Sequence, residues 1–67
     1  MINPLVKQLH SARKRLGWTL TMVEDKIGYP EKAIRTWEKG QYTPRLRSFI
    51  DYANVLGFDV VLKRRDE

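Results

Sequence analysis

Few side chains in this sequence have the chemistry needed for catalysis or for binding a metal ion. The chain has one histidine, His10, and no cysteine, so it offers no thiolate ligand and no nucleophilic thiol. Adjacent acids occur at Glu24–Asp25 and Asp66–Glu67, but residues that neighbour each other on a helix do not face each other. We therefore predict no enzymatic activity, no cofactor and no metal, and we expect His10 to lie on the surface or cap a helix.

The excess of basic side chains is more informative. Thirteen lysines and arginines face eight aspartates and glutamates, which gives 67 residues a formal net charge of +5. A small domain this basic commonly binds a polyanion, with nucleic acid as the first candidate. A net charge of about 2–8 is also ordinary for a soluble surface. The arrangement of the residues must therefore decide between the two interpretations.

Four segments with helical periodicity must position these side chains. Asn3 and Pro4 are typical of an N-cap and a first helical position, and Thr19 is a second candidate cap. Apolar residues recur at three- and four-residue steps in every segment, and glycines close them. The predicted stripes are Leu5, Leu9, Ala12 and Leu16; Leu20, Val23 and Ile27; Ala33, Ile34 and Trp37; and Leu46, Phe49, Ile50, Ala53 and Leu56. The predicted stops are Gly17, Gly28, Gly40 and Gly57.

After the fourth helical segment the apolar period changes to two. Phe58, Val60 and Leu62 alternate with other residues, which predicts a β-strand over residues 57–64, followed by a charged tail. A lone strand exposes an unpaired backbone edge. It either packs loosely as a tail or pairs with the same strand of a second copy. We expect the pairing, with Phe58, Val60 and Leu62 as the dimerisation residues of a homodimer.

The second and third helical segments, about residues 19–39, form two short helices with a tight turn at Gly28. Glycine suits this turn because a sharp change of direction after a helix usually needs positive φ. Two helices this short must rest on the first and fourth segments. The second of them leaves long or polar side chains outward: Glu31, Lys32, Arg35, Thr36 and Lys39. Such side chains can reach base edges and phosphates in a DNA major groove.

A characteristic spacing of glycines, apolar residues and charges extends over some fifty residues. It comprises Arg13, Leu16–Gly17, Thr19, Val23, Ile27–Gly28, Ile34, Trp37–Glu38–Lys39–Gly40, Pro44, Leu46, Phe49, Ala53 and Leu56–Gly57. From about Leu9 to Leu62 the sequence thereby resembles the phage-repressor and Cro type of helix-turn-helix domain. The resemblance implies a mainly α, compact four-helix fold of the λ-repressor type. We expect one such domain over residues 1–67, with the C-terminal strand added to it.

The resemblance also implies roles for individual residues. The recognition helix would run from Pro30 to Glu38, with base-contacting residues Glu31, Lys32, Arg35 and Thr36. Phosphate contacts would come from the start of the second helix and the loop after the third: Thr19, Lys39, Gln41, Thr43 and Arg45. The family pairs an arginine of the first helix with the glutamate ahead of the loop glycine. Arg13 and Glu38 hold those positions, so we expect them to form a partly buried ion pair.

Several of these residues have a structural interpretation as well. Lys32 and Arg35 would also suit a solvated helix face. Glu31 either accepts a hydrogen bond from a cytosine amino group or is a first-turn acid favoured by the helix dipole. Trp37 shares the inward stripe with Ile34, so we expect it in the core rather than against bases.

We predict a sequence-specific regulator of transcription that binds double-stranded DNA, acting as a repressor on a palindromic operator as a homodimer. The alternatives are an antitoxin, which binds a protein toxin as well as operator DNA, and a protein-interaction adaptor on the same fold. Lys39 and Arg45 beside a cationic third helix favour DNA, because an adaptor would more often expose apolar side chains there.

The sequence has no apolar run approaching the roughly 20 residues of a membrane span, and residues 1–4 lack the features of a signal peptide. We therefore expect a cytoplasmic protein with no membrane partner.

Overall fold

Four α-helices form the body of the protein in the computed structural model, which describes residues 3–66. They are α1 (Pro4–Leu16), α2 (Leu20–Ile27), α3 (Glu31–Glu38) and α4 (Leu46–Val55). The mainly α, four-helix architecture expected from the sequence is confirmed. Glu67, the last residue of the predicted charged tail, lies outside the described residues, as do Met1 and Ile2. None of the helices within residues 3–66 has the length and apolar character needed to cross a membrane.

Local side-chain chemistry sets the helix ends. Asn3 Oδ1 accepts a hydrogen bond from the Leu5 amide at 2.8 Å, which satisfies one of the unpaired donors at the start of α1. Thr19 Oγ1 does the same for the Met22 amide at 3.2 Å and caps α2. Gly28 ends α2 with a φ of 79°, a conformation that L side chains rarely adopt. Both caps and the turn at Gly28 are where the sequence predicted them.

The core lies between α1 and α2, each of which packs against α3 and α4. Its buried apolar side chains are Val6, Leu9, Val23, Ile34, Trp37, Tyr52, Ala53 and Leu56. Trp37 packs edge-on against Tyr29, with ring centroids 5.9 Å apart, and against Tyr52 at 6.1 Å. The expected core position of Trp37 is therefore confirmed. Since Trp37 and Ile34 anchor one face of α3, the opposite face of this helix is held toward solvent.

The buried face of α1 differs from the predicted stripe. Leu5 and Leu16 are 57% and 50% exposed, whereas Val6, Leu9 and Arg13 are buried. The face that includes Arg13 is turned inward because this arginine meets Glu38 of α3 beneath the surface. Apolar periodicity does not take account of a buried charge. The predicted stripe was therefore right at Leu9 and Ala12 and wrong at Leu5 and Leu16.

The predicted β-strand over residues 57–64 does not form in the described chain. Residues 58–66 have no regular secondary structure, and Val60 and Leu62 are 40% and 102% exposed. The Phe58 amide donates to the Ala53 carbonyl at 2.9 Å, so this residue closes the end of α4. A strand needs a second strand for its hydrogen-bond ladder, and the helices of a single chain supply none. The single-chain structure therefore supports neither the strand nor its pairing across a dimer.

Candidate nucleic-acid interface

The outward face of α3 carries the four residues predicted to contact bases. Lys32 and Arg35 are exposed, and Glu31 and Thr36 are half-buried at the edges of the same face. Residues three and four positions apart are neighbours on a helix, so the four side chains form one polar strip. The strip lies opposite the buried Ile34, as reading a DNA groove requires.

Glu31 is held by hydrogen bonds from two directions. Thr21 of α2 donates through Oγ1 to Glu31 Oε2 at 2.7 Å, and Arg35 Nη2 donates to Glu31 Oε1 one turn along α3. Each carboxylate oxygen therefore already has a partner within the protein. Glu31 also lies in the first turn of α3, where the helix dipole favours a negative charge.

Thr36 has part of its hydrogen-bonding capacity committed to the backbone. Its hydroxyl donates to the Ala33 carbonyl at 2.6 Å, and its own carbonyl accepts from the Gln41 amide at 3.0 Å. The second bond fixes the start of the loop that follows α3. The side-chain methyl group remains, and this is the part of a threonine that can contact a thymine methyl in a major groove.

The residues predicted to contact phosphates are all exposed: Thr19, Lys39, Gln41, Thr43 and Arg45. Thr19 lies at the N-terminus of α2, where backbone N–H groups and the helix dipole favour an anion. Its hydroxyl oxygen accepts the capping hydrogen bond, so its proton can be donated outward. Lys39 and Arg45 lie in the loop between α3 and α4 and form no ion pair with any residue in the range 3–66.

A buried ion pair anchors the end of α3. Arg13 Nε and Nη2 donate to the two carboxylate oxygens of Glu38 at 2.9 and 2.8 Å, and the two residues are 7% and 8% exposed. Arg13 Nη1 also donates to the Trp18 carbonyl at 2.6 Å. The guanidinium thus joins α1, the turn before α2 and the last residue of α3.

Two further members of this cluster were missed in the sequence. His10 Nδ1 lies 2.8 Å from Glu38 Oε1, and the Tyr52 hydroxyl donates to Glu38 Oε2. His10 was expected on the surface or at a cap, and Tyr52 was not singled out. Helical spacing held a signal for both, because His10 lies one turn before Arg13 and Tyr52 adjoins the buried Ala53.

The cluster fixes the charge states of its members. Burial raises the pKa of Glu38, but hydrogen bonds from Arg13, Tyr52 and His10 outweigh it, so the pKa lies below its ordinary value. Burial and the hydrogen bond to Glu38 raise the pKa of Tyr52. At neutral pH Glu38 is therefore ionised and Tyr52 is protonated, which keeps the end of α3 bound to α1 and α4.

The sequence was compared with models of known protein families. The model of the helix-turn-helix family matches residues 9–62, which is more than half of the 67-residue chain. The protein belongs to the helix-turn-helix family. Neither the curated proteins nor the solved structures gave a match.

Membership confirms the resemblance to phage-repressor and Cro-type domains. The helix-turn-helix family consists of DNA-binding regulators of transcription, and membership implies binding to double-stranded DNA. In such a protein the second helix of the bihelical unit enters the major groove. Here that unit is α2 and α3, and α3 is the helix with the outward polar strip.

Proposed function

We propose that this helix-turn-helix protein is a sequence-specific repressor that inserts α3 into the major groove of an operator. The observation that carries the proposal is the division of α3 into two faces. Ile34 and Trp37 anchor one face in the core, and the other presents Lys32 and Arg35 to solvent. The helix is thereby held rigidly while its cationic side chains point outward.

The proposed base readers are Lys32, Arg35 and Thr36 of the α3 strip, and Glu31 either reads a cytosine or serves as a first-turn acid. Lys32 and Arg35 supply donors for the O6 and N7 acceptors of guanine, and the Thr36 methyl suits the methyl group of thymine. The proposed phosphate contacts surround the strip and set its register on the duplex. They are Thr19 at the start of α2 and the loop residues Lys39, Gln41, Thr43 and Arg45.

A homodimer on a palindromic operator is the assembly that we propose. The tail residues Val60 and Phe58 line an apolar groove together with Leu5, Leu9 and Phe49 of α1 and α4. A second copy would cover this apolar surface and supply the strand that a single chain lacks. Such a dimer would place two recognition helices about 34 Å apart, one turn of DNA.

An antitoxin is the second candidate function, and one surface favours it. A second apolar groove, which shares Leu5 and Phe49 with the first, lies between the start of α1 and the start of α4 and is also lined by Pro44 and Leu46. Leu46 in this groove is 71% exposed. A protein partner such as a toxin would bury it. Co-expression with the product of the neighbouring gene tests this candidate, since an antitoxin would purify as a stoichiometric complex.

Selection of bound duplexes from a random DNA pool tests the repressor proposal. A homodimer should enrich a palindrome whose half-site centres lie about 10–10.5 base pairs apart. The Lys32→Ala variant serves as the matched control, because it should enrich a more degenerate sequence with the same spacing. Enrichment of no sequence by the wild-type protein would contradict the proposal.

A further inference from the structure

We propose that Glu31 is a positioning residue that directs Arg35 at a guanine of the operator, with Thr21 holding Glu31 in place. The inference rests on the proposed function and names the base that one residue of its site reads. It gives Thr21, a residue of α2 with no predicted role in DNA binding, a part in the sequence specificity of α3.

The structure provides an unbroken chain of hydrogen bonds from α2 to the outward face of α3. Thr21 Oγ1 donates to one oxygen of Glu31 at 2.7 Å, and Arg35 Nη2 donates to the other. The side chain of Glu31 is 33% exposed and that of Arg35 is 51% exposed. The acid therefore lies at the edge of the strip and the guanidinium projects from it.

The chemistry of the guanidinium determines the base that suits this arrangement. Arginine has five N–H donors in a planar fork. The bond to Glu31 engages Nη2 and leaves two parallel donors of the fork open. Guanine is the base that presents two acceptors, O6 and N7, on its major-groove edge. An arginine whose orientation is already fixed by Glu31 loses less conformational freedom on making this bidentate contact.

The same contacts argue against a direct contact between Glu31 and cytosine. Both oxygens of Glu31 already accept hydrogen bonds from Thr21 and Arg35. Turning the carboxylate toward a cytosine amino group would break the hydrogen bond from Thr21, which holds Glu31 in place, or the one from Arg35, which would release the arginine. Of the two roles that the sequence left open for Glu31, the structure favours the acid that stays within the protein.

The hydrogen bonds that connect Thr21, Glu31 and Arg35 should contribute little to the stability of the fold. Exposed ion pairs at i and i+4 on a helix stabilise proteins only slightly. A change in Glu31 should therefore alter DNA recognition and leave the fold unchanged. This separates a positioning role from a merely structural one.

The test measures the binding of the selected operator after each guanine is replaced by 7-deazaguanine, which lacks the N7 acceptor. For the wild-type protein, one guanine in each half-site should show a loss of affinity of about tenfold or more. The affinity of Arg35→Ala for the operator should not change when this guanine is replaced. In Glu31→Gln and Thr21→Val the loss should fall to about threefold or less, because arginine then has to be ordered by the base alone.

Two controls separate orientation from charge and from stability. Glu24→Gln removes the same charge from α2 at a residue outside the chain of hydrogen bonds, and it should keep the full sensitivity of the wild type. The melting temperatures of Glu31→Gln and Thr21→Val should remain within a few degrees of the wild type. Their binding to random-sequence duplex should be no weaker than that of the wild type, since no positive charge is lost.

Two results would overturn the inference while the proposed function stands. One is that Glu31→Gln loses as much affinity as the wild type when 7-deazaguanine replaces guanine in the operator. The other is loss by Glu31→Gln of a preference for cytosine, which would show direct reading by the carboxylate. If the wild-type protein selects no sequence at all, the proposed function fails and the inference fails with it.

Discussion

Arg13 and Glu38 meet through two parallel hydrogen bonds, Nε to Oε2 at 2.9 Å and Nη2 to Oε1 at 2.8 Å. The pair connects the middle of α1 to the last residue of α3 and is more than nine-tenths buried. Burying two charges costs desolvation free energy, so the pair adds little net stability relative to apolar residues of similar shape. Removing one partner is different, because the other charge then stays buried without compensation.

Replacement of Glu38 by alanine should therefore destabilise the fold severely. We expect a loss of about 3–5 kcal/mol in the free energy of unfolding, since Arg13 would be left uncompensated. For a domain of this size, each kcal/mol corresponds to roughly 4–8 °C in melting temperature. Calorimetry or circular dichroism would measure the change.

Glu31→Ala is the matched control and should shift the melting temperature far less, because its partner Arg35 is exposed. Equal shifts would show that Glu38 acts only as a surface acid.

The low pKa of Glu38 should appear as a loss of stability in acid. Burial opposes ionisation of Glu38, but hydrogen bonds from Arg13, Tyr52 and His10 hold its pKa below the ordinary 4.5. Because the folded pKa is the lower one, this contribution is fully present above about pH 4.5 and disappears as the pH falls through the folded pKa. The difference in unfolding free energy between the wild type and Glu38→Gln should therefore shrink below pH 4.5. A difference independent of pH in this range would contradict the shift.

The helix boundaries could be predicted from the sequence because their causes are local. Asn3 and Thr19 cap through amides two or three residues away, and Gly28 supplies a positive φ within its own residue. The polar strip on α3 was also predictable, since the apolar periodicity of Ile34 and Trp37 determines which side faces out.

The missed features depend on contacts between distant residues. His10 and Tyr52 contact Glu38 across 28 and 14 positions of sequence. Helical spacing places His10 near Arg13 and Tyr52 near the core, but no local pattern shows that either residue meets Glu38. The inward position of Arg13 follows from the expected pairing with Glu38, but the apolar periodicity alone placed Leu5 and Leu16 in the core, and both are exposed. The strand predicted over residues 57–64 depends on a hydrogen-bond ladder that a single chain cannot provide.

The phosphate contacts should be revealed by the dependence of DNA binding on salt. Each neutralised phosphate releases condensed counterions, so the logarithm of the binding constant falls with the logarithm of the salt concentration by about 0.9 per contact. Arg45→Ala should lower this slope by about one and weaken specific and random duplexes alike. Lys7→Ala removes the same charge from an exposed site on α1 and should leave the slope nearly unchanged. Fluorescence anisotropy over a salt series measures both, and an unchanged slope in Arg45→Ala would remove this residue from the interface.

Changes within the α3 strip should alter sequence preference rather than general affinity. Lys32→Ala and Thr36→Ala should each cost roughly 1–3 kcal/mol on the selected operator and little on random duplex. For Thr36 the expected loss lies at the lower end, about 1 kcal/mol, because its hydroxyl proton is committed to Ala33 and only its methyl contact is removed. Competition binding with single-base variants of the operator would measure the preference. If Lys32→Ala retains both affinity and preference, α3 presents a different set of residues to the bases.

The proposed homodimer makes a prediction that depends on which face of the tail carries the substitution. Val60 and Val61 both line the apolar groove with Leu5 and Phe49. Val60 is 40% exposed and Val61 is 77% exposed, and in a paired strand the two side chains would lie on opposite faces. Val60→Asp would place a charge inside the paired apolar surface, so it should give monomers that bind a full operator poorly and a half-site as well as the wild type does. Val61→Asp adds the same charge on the other face and should leave the dimer intact.

Light scattering and analytical ultracentrifugation at micromolar concentration would measure the oligomeric state of both variants and of the wild type. A monomeric wild-type protein under these conditions would defeat the dimer while leaving α3 as the DNA-reading helix.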